Sequence, residues 1–348
     1  MHDPLFTLAG IARQAPQARL YHSVSTGYAG FLGALLQSKT GTPYIISEHG
    51  IYTKERELDL AQVDWIPEDL DPFKVGLNDN MSYLRQVWIR FFRSLGKMSY
   101  ATASDIFTLY EGNRLRQISD GAPADRLTII PNGINVKRFS EVRVNPNQNP
   151  PPVIGLIGRV VPIKDIKLFI RSMRIIRTQL PDVQGWLIGP QAEDPGYTEE
   201  CKQLVQSLDL GDCIKFKGFQ SPEEMLPQMG LNVLTSVSEG QPLVILEGYA
   251  AGIPTVTTNV GSCTELVFGT DEADRALGAS GAVVPIADPA AFAEAVIHLL
   301  TDRQAWRDAS AAAVARVERY YDDVDMIERY AQVYARHWAS ASTQAKAS

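Results

Sequence analysis

Val153-Ile154-Gly155-Leu156-Ile157-Gly158-Arg159-Val160-Val161-Pro162-Ile163-Lys164-Asp165 is the stretch on which the reading of the fold turns. Five apolar residues without alternation suit a strand buried on both faces, and the glycine and charges that follow end it before a helical pattern begins near residue 165. Downstream the unit repeats, with strands at 185–189, 213–217, 231–235 and 254–258 separated by helical patterns at about 197–208, 221–229 and 242–251. Strands separated by helices imply a parallel sheet covered on both faces, a Rossmann-like α/β domain.

Upstream, Val144-Asn145-Pro146-Asn147-Gln148-Asn149-Pro150-Pro151-Pro152 is polar, proline-rich and without apolar periodicity, and reads as a linker at 144–152. The first half repeats the grammar with fewer members: strands are predicted at Ala18–Ser23, Pro43–Glu48, Tyr100–Ala103 and Arg126–Ile130, with helices near 28–38, 80–98 and 107–119. The expected fold is therefore α/β with two Rossmann-like domains, 1–143 and 153–322, the first incomplete at its N-terminus. Met326, Ile327, Tyr330, Val333, Tyr334 and Trp338 line one face of a predicted C-terminal helix at 323–338, expected to cross back to the first domain, and 339–348 reads as a tail.

Across 348 residues the formal charge is −7, but it is unevenly placed: residues 1–150 hold 16 Lys and Arg against 15 Asp and Glu, and residues 151–348 hold 17 against 25. An acidic second half does not suit a nucleic-acid surface, which needs a basic face. Three cysteines, Cys201, Cys213 and Cys263, make no disulfide framework, and no apolar run approaches the ~20 residues that span a bilayer. The expected location is the cytoplasm.

Chemistry concentrates at two strand-to-helix turns. In the first, Gly158 lets backbone approach a ligand while Arg159 and Lys164 flank the turn, an arrangement for a phosphate; the bland alternative is a pair of solvated cations. Neither GxGxxG nor GxxxxGK[ST] is present in this turn, so an NAD-type or Walker-type loop is not supported. In the second, Ser236-Val237-Ser238-Glu239-Gly240-Gln241-Pro242-Leu243-Val244-Ile245-Leu246-Glu247 leads from a strand through a short loop into a helix whose first amides can hold an anion. Glu247 sits among apolar neighbours, which argues against an ordinary solvated position.

Taken together, Gly158-Arg159 with Lys164, Glu239-x7-Glu247 with Gly240 between, and Val260-Gly261-Ser262-Cys263-Thr264-Glu265 resemble the donor domain of GT-B retaining glycosyltransferases, family 4 (group 1). Ser47-Glu48-His49-Gly50-Ile51-Tyr52-Thr53-Lys54-Glu55-Arg56, Pro131-Asn132-Gly133-Ile134-Asn135 and His22–Gly30 extend the likeness, most narrowly to the PelF-type enzymes of Pel exopolysaccharide synthesis. The resemblance implies a metal-independent hexosyltransferase that moves glucose from UDP-glucose to a sugar or polysaccharide acceptor by front-face attack, with no cofactor and no metal.

By the same resemblance, Arg159 and Lys164 neutralise the donor diphosphate, Glu247 holds the ribose, and Gly218-Phe219 lies beside the base. Gly240, Leu243 and Val244 lend amides, while Glu239 and His49 are the catalytic positions next to the transferred sugar. His49 also has a plain reading, as the end of a strand beside Gly50. His22, Tyr28 and Glu48 fall on the acceptor side. Family members begin with a glycine-rich βα unit that does not precede Met1-His2-Asp3-Pro4 here, which leads to the expectation of a truncated chain or one completed by another polypeptide. The other readings are a non-catalytic or truncated nucleotide-sugar-binding subunit of a membrane-bound polysaccharide synthesis complex, with the chain peripheral at the inner face of the membrane, and a UDP-sugar epimerase.

Two features stand outside this reading. A helix with Trp88, Ile89, Phe91, Phe92, Leu95 and Met98 interleaves Arg85, Arg90, Arg93 and Lys97, suiting an anionic membrane, a partner protein, or packing on its own sheet. Asp69-Leu70-Asp71 and Asp323-Val324-Asp325 match a DxD pattern but read as surface charge.

Overall fold

The computed structural model describes residues 2–62 and 83–347, which divide into two units, 1–130 with 328–348 and 131–327. In the first unit, α1 (His2–Gln14) precedes β1 (Tyr21–Ser23), α2 (Gly27–Thr40), β2 (Tyr44–Glu48), α3 (Tyr52–Gln62), α4 (Tyr83–Thr102), β3 (Asp105–Thr108), α5 (Glu111–Ser119) and β4 (Leu127–Ile129). All neighbouring strands are parallel, in the order β1-β2-β3-β4. β2 is buried along its whole length, as a central strand covered on both faces must be.

The second unit opens with α6 (Val136–Ser140), β5 (Val153–Ile157), α7 (Ile166–Gln179), β6 (Gln184–Ile188), α8 (Pro195–Ser207), β7 (Ile214–Gly218) and α9 (Pro222–Met225). It continues through β8 (Leu231–Leu234), α10 (Leu243–Ala250), β9 (Thr255–Thr258), α11 (Cys263–Phe268), α12 (Glu272–Arg275), β10 (Gly281–Val284), α13 (Pro289–Thr301) and α14 (Arg303–Tyr320). Its six strands are parallel in the order β10-β9-β8-β5-β6-β7. The order reverses at β5 and β8, so their carboxyl ends flank the switch point where open α/β sheets bind ligands. Two apolar clusters cover the sheet, one centred on Phe169, Ile170, Met173 and Phe292, the other on Ile245, Leu246, Tyr249 and Val317. Cys201, Cys213 and Cys263 are unpaired and buried.

Three boundaries differ from the sequence reading. Tyr100 to Thr102 complete α4, and the strand lies at Asp105–Thr108; Tyr100 and Ala103 are fully buried, so burial rather than strand pairing explains their apolar character. The 144–152 stretch belongs to the second unit: Val144 donates its amide to Ala251 O at 3.0 Å, and Arg307 reaches Pro146 O at 2.9 Å. The 339–348 tail is helical as far as Ala347, within α15 (Asp323–Ala347), because alanine, glutamine and lysine favour helix without apolar periodicity. Among the described residues no helix is long and apolar enough to cross a membrane.

α14 is tied to the second sheet by Arg316, which is fully buried. Its Nε donates to Asp274 Oδ1 at 2.6 Å, and its other nitrogens donate to Val267 O, Ser280 Oγ, Asp274 O and Gly278 O at 2.9–3.0 Å. With Asp274 equally buried, removing one partner strands a charge. Arg316→Ala should therefore destabilise the second unit by ~3–5 kcal/mol in denaturant unfolding. Arg316→Lys should recover little of that loss, because an ammonium cannot span the same five acceptors.

Candidate functional site

At the carboxyl end of β5, a 3₁₀ turn (Pro162–Lys164) leads into α7. Asp165 adopts a left-handed conformation, φ 41°, and caps the helix by accepting the Leu168 amide at 3.1 Å. The turn is stapled to the end of β8: Thr235 Oγ1 donates to Lys164 O at 2.7 Å, and the Val237 amide donates to Ile163 O at 2.9 Å. These bonds carry Glu239 to Lys164. Lys164 Nζ donates to Glu239 Oε1 at 2.5 Å, the same oxygen that accepts from Ser236 Oγ at 2.5 Å, and both side chains of the ion pair are mostly buried. Arg159, by contrast, is half exposed and pairs with Glu193 at 2.6 Å.

The loop that carries Glu239 and Gly240 is clamped from the other side by the turn after β9. Gly261 has φ +54°, and a Cβ there would stand 2.3 Å from Gly240 O and 2.5 Å from Glu239 O, so no other residue fits. Ser262 N donates to Gly240 O at 2.9 Å and Thr258 Oγ1 to Ser236 O at 2.6 Å. Gln241, buried, accepts the Asn132 amide at 2.6 Å. On α10, Leu243 is exposed and Val244 half-buried, with the Val244 carbonyl held by Asn232 Nδ2 at 2.7 Å.

Four residues along the same helix, Glu247 is half-buried. Burial pushes its carboxyl pKa up, the nearby Glu223 adds to the rise, and Arg138 opposes it. Arg138 forms an ion pair with Glu223, whose carboxylate also accepts from Ser221 Oγ at 2.5 Å and is held below the usual glutamate range. The sequence reading missed this pair. Its only local signal was Asn135, which caps α6 by accepting the Arg138 amide. Gly218 ends β7, and Phe219 beyond it is 81% exposed.

In the first unit, Glu48 is fully buried at the end of β2 and its carboxylate is occupied. Oε1 accepts from Thr26 Oγ1 at 2.8 Å and the Tyr52 amide at 3.1 Å, while Oε2 accepts from Tyr100 OH at 2.5 Å and Gln117 Nε2 at 2.9 Å. It thus joins the starts of α2 and α3 to α4 and α5 and presents no surface to a ligand. His49, next in the chain, is exposed, with its carbonyl accepting from Asn113 Nδ2 at 2.9 Å.

His22 pairs with Tyr334 OH through Nδ1 at 2.7 Å and with Ser47 Oγ through Nε2 at 2.8 Å, and Tyr330 OH donates to Ser47 Oγ at 2.9 Å. Desolvation lowers the pKa of both histidines, and the proximity of His49 lowers that of His22 further. Tyr28 packs edge-on against Phe92 at 5.7 Å, part of an aromatic cluster with Phe91, Trp88 and Tyr52. That cluster packs the apolar face of α4 within its own unit.

Within the second unit, then, the structure brings Lys164, Glu239 and Gly240 together; within the first it brings His22 near His49 and withdraws Glu48 into the core. Asp323-Val324-Asp325 opens α15, and Asp69–Asp71 lies outside the described residues. Among the described residues no group of three or more His, Cys, Asp or Glu is placed to hold a metal ion.

Two parallel α/β units of this kind match GT-B glycosyltransferase structures. Residues 151–302 match the family described as glycosyl transferases group 1, and residues 1–125 match DUF3492, a domain of unknown function. The chain is 30% identical over 217 residues to the lipopolysaccharide core biosynthesis mannosyltransferase LpsB of Rhizobium meliloti, covering 60% of each protein. It is 25% identical over 240 residues to a D-inositol 3-phosphate glycosyltransferase of Nocardia farcinica, covering 64% of this chain and 51% of that one. The chain therefore spans between half and three fifths of these curated relatives.

Among solved structures, Anabaena HepE in complex with UDP-glucose superposes with a TM-score of 0.70 at 20% identity, over 94% of this chain and 82% of that one. Sucrose-phosphate synthase from Thermosynechococcus elongatus gives 0.71 at 19%, over 98% and 80%.

Two measurements follow from the first unit. Glu48→Ala leaves two hydroxyls and two amide donors without their acceptor and should cost ~3 kcal/mol or more, seen as a lowered Tm, whereas Glu48→Gln, which keeps one oxygen, should cost less. The unfolded histidines titrate at about 6.5, the ordinary value of an imidazole, while the folded ones resist protonation, so the unfolded state takes up more protons as pH falls below that value. Stability should accordingly decline from pH 6.5 down to the folded pKa values, and His22→Gln with His49→Gln should flatten that decline in unfolding experiments at a series of pH values.

Proposed function

We propose that the chain is a glycosyltransferase that takes a nucleotide sugar in its second unit and acts in polysaccharide synthesis. The observation that carries this reading is the Lys164–Glu239 contact at the sheet's switch point, set between the Arg159 turn and the start of α10 within the stretch that matches the group 1 family. Arg159 and Lys164 are the charges for a diphosphate, each now held by a carboxylate that an incoming phosphate would replace. Glu247 takes the ribose, with Arg138 and Glu223 setting its charge, and Phe219 offers an exposed ring to the base.

Glu239 then serves two states. Before the donor arrives it neutralises Lys164; once the lysine turns to phosphate, the carboxylate is free beside the transferred sugar. Leaving-group charge is stabilised by Arg159, Lys164 and the amides of Gly240, Leu243 and Val244. His49 keeps the catalytic role that the motif likeness gives it. Retention, independence from metals, UDP-glucose as donor and a Pel-type polysaccharide as product are the finer form of the proposal, supported by the motif likeness and by the UDP-glucose complex of HepE. A cytoplasmic setting, close to a membrane-bound synthesis complex, goes with it. The second reading, a nucleotide-sugar-binding subunit without turnover, shares every binding residue.

Calorimetry with UDP separates the assignments. Arg159→Ala should weaken UDP far more than uridine, since a charge-assisted bond of ~1.5–3 kcal/mol is lost. Glu247→Gln should weaken both ligands. Glu239→Gln should bind UDP as well as the wild type or better, because Lys164 is released from its partner, while turnover of UDP-glucose falls. UDP affinity that drops in Glu239→Gln and holds in Glu247→Gln would reverse the two roles.

A further inference from the structure

α3, α4 and α5 of the first unit line a half-open pocket of about 370 Å³, within the ~300–1,000 Å³ range of small-molecule sites. Its charged lining is Arg93, Lys97 and Arg116 against Glu57 and Asp120, an excess of one positive charge. The carboxylates are already shared: Arg93 donates to Glu57 at 2.8 Å, Arg116 lies 3.0 Å from Asp120 and 3.5 Å from Glu57, and Thr53 Oγ1 donates to Asp120 at 2.8 Å. Lys97 has no such partner among the described residues. It stands one helical turn after Arg93, so neighbouring positions of α4 carry two cations against the single carboxylate of Glu57.

The rest of the wall is polar as well. Ser119 contributes a hydroxyl, while Tyr100 is fully buried with its proton donated to Glu48. Gly96 is the one residue there lacking a polar side chain, and more of the lining is polar than apolar. Phosphate alone would leave most of the volume empty. A hexose carrying a phosphate would fill it, with the phosphate on Lys97 and Arg93 and the sugar hydroxyls donating to the remaining lone pairs of Glu57 and Asp120.

We propose that this cavity is a binding site for a phosphorylated sugar, separate in residues and in unit from the proposed nucleotide-sugar site. The ligand is a free sugar phosphate, and a membrane surface is the competing outcome that the experiment tests.

The full chain is titrated calorimetrically with glucose 6-phosphate, glucose and orthophosphate, and sedimented with phosphatidylcholine vesicles containing phosphatidylglycerol. Glucose 6-phosphate should bind with a millimolar or tighter Kd, orthophosphate more weakly and glucose not at all. Lys97→Ala, at an exposed and unpaired position, should keep the wild-type Tm and lose about tenfold or more in affinity. Ser119→Trp should block the cavity without touching a charge. Arg159→Ala should leave this binding unchanged, so that failure here and failure of the UDP site are read independently. No binding at ~10 mM glucose 6-phosphate, equal affinity in Lys97→Ala, or loss in Arg159→Ala instead would overturn the proposal. Vesicle binding that depends on Lys97 without glucose 6-phosphate binding would overturn it in favour of a membrane surface.

Discussion

Parallel pairing is the constraint from which the rest of this structure follows. A parallel strand cannot reach its neighbour through a tight turn, so each one must be followed by a crossover, and every crossover returns the chain to the same end of the sheet. All the strands of both units obey this, and the carboxyl ends within each unit therefore share one edge. In the second unit that geometry alone assembles the turns after β5, β8 and β9, whose residues are separated by as much as a hundred positions. The hydrogen bonds of Thr235, Val237 and Ser262 then lock the turns to one another.

Three glutamates show how environment divides one chemical group into different tasks. Glu48 is buried beneath four neutral donors and works as a joint between helices. Glu239 is mostly buried but faces a lysine, so its charge is matched by a partner that another anion can take away. Glu247 has an arginine nearby without a bond to it, and a second carboxylate close enough to raise its pKa. The first arrangement is fixed by its number of hydrogen bonds. The second and third are held more loosely, and that looseness is what a ligand can exploit.

Much of the fold was legible because a continuous apolar run such as Val153–Ile157 has few alternatives to a buried parallel strand. The 100–103 misreading arose where a helix end is buried as completely as a strand, so periodicity could not separate them. The 144–152 stretch looked like a linker because Ala251 and Arg307, the partners of Val144 and Pro146, are more than a hundred residues away. At the site, the identities of Arg159, Lys164, Glu239 and Glu247 could be read from local motifs, whereas the Lys164–Glu239 bond could not, being formed across 75 positions. Arg138 and Glu223 were missed for the same reason, and Glu48 was visible as a motif residue while its burial was not.

The division of the chain has a consequence for biosynthesis. Residues 131–327 form one unit, while 328–348 rejoin the unit that began at the N-terminus, where Tyr330, Tyr334 and His337 bond to Ser47, His22 and Asp105. During translation the second unit is therefore made in full before the ribosome releases the segment that finishes the first. Until then β1 and β2 lack their last helix, and the hydroxyls and imidazole that will meet it remain in water. The nascent first unit must therefore wait through the synthesis of nearly two hundred further residues before the helix that completes it is made.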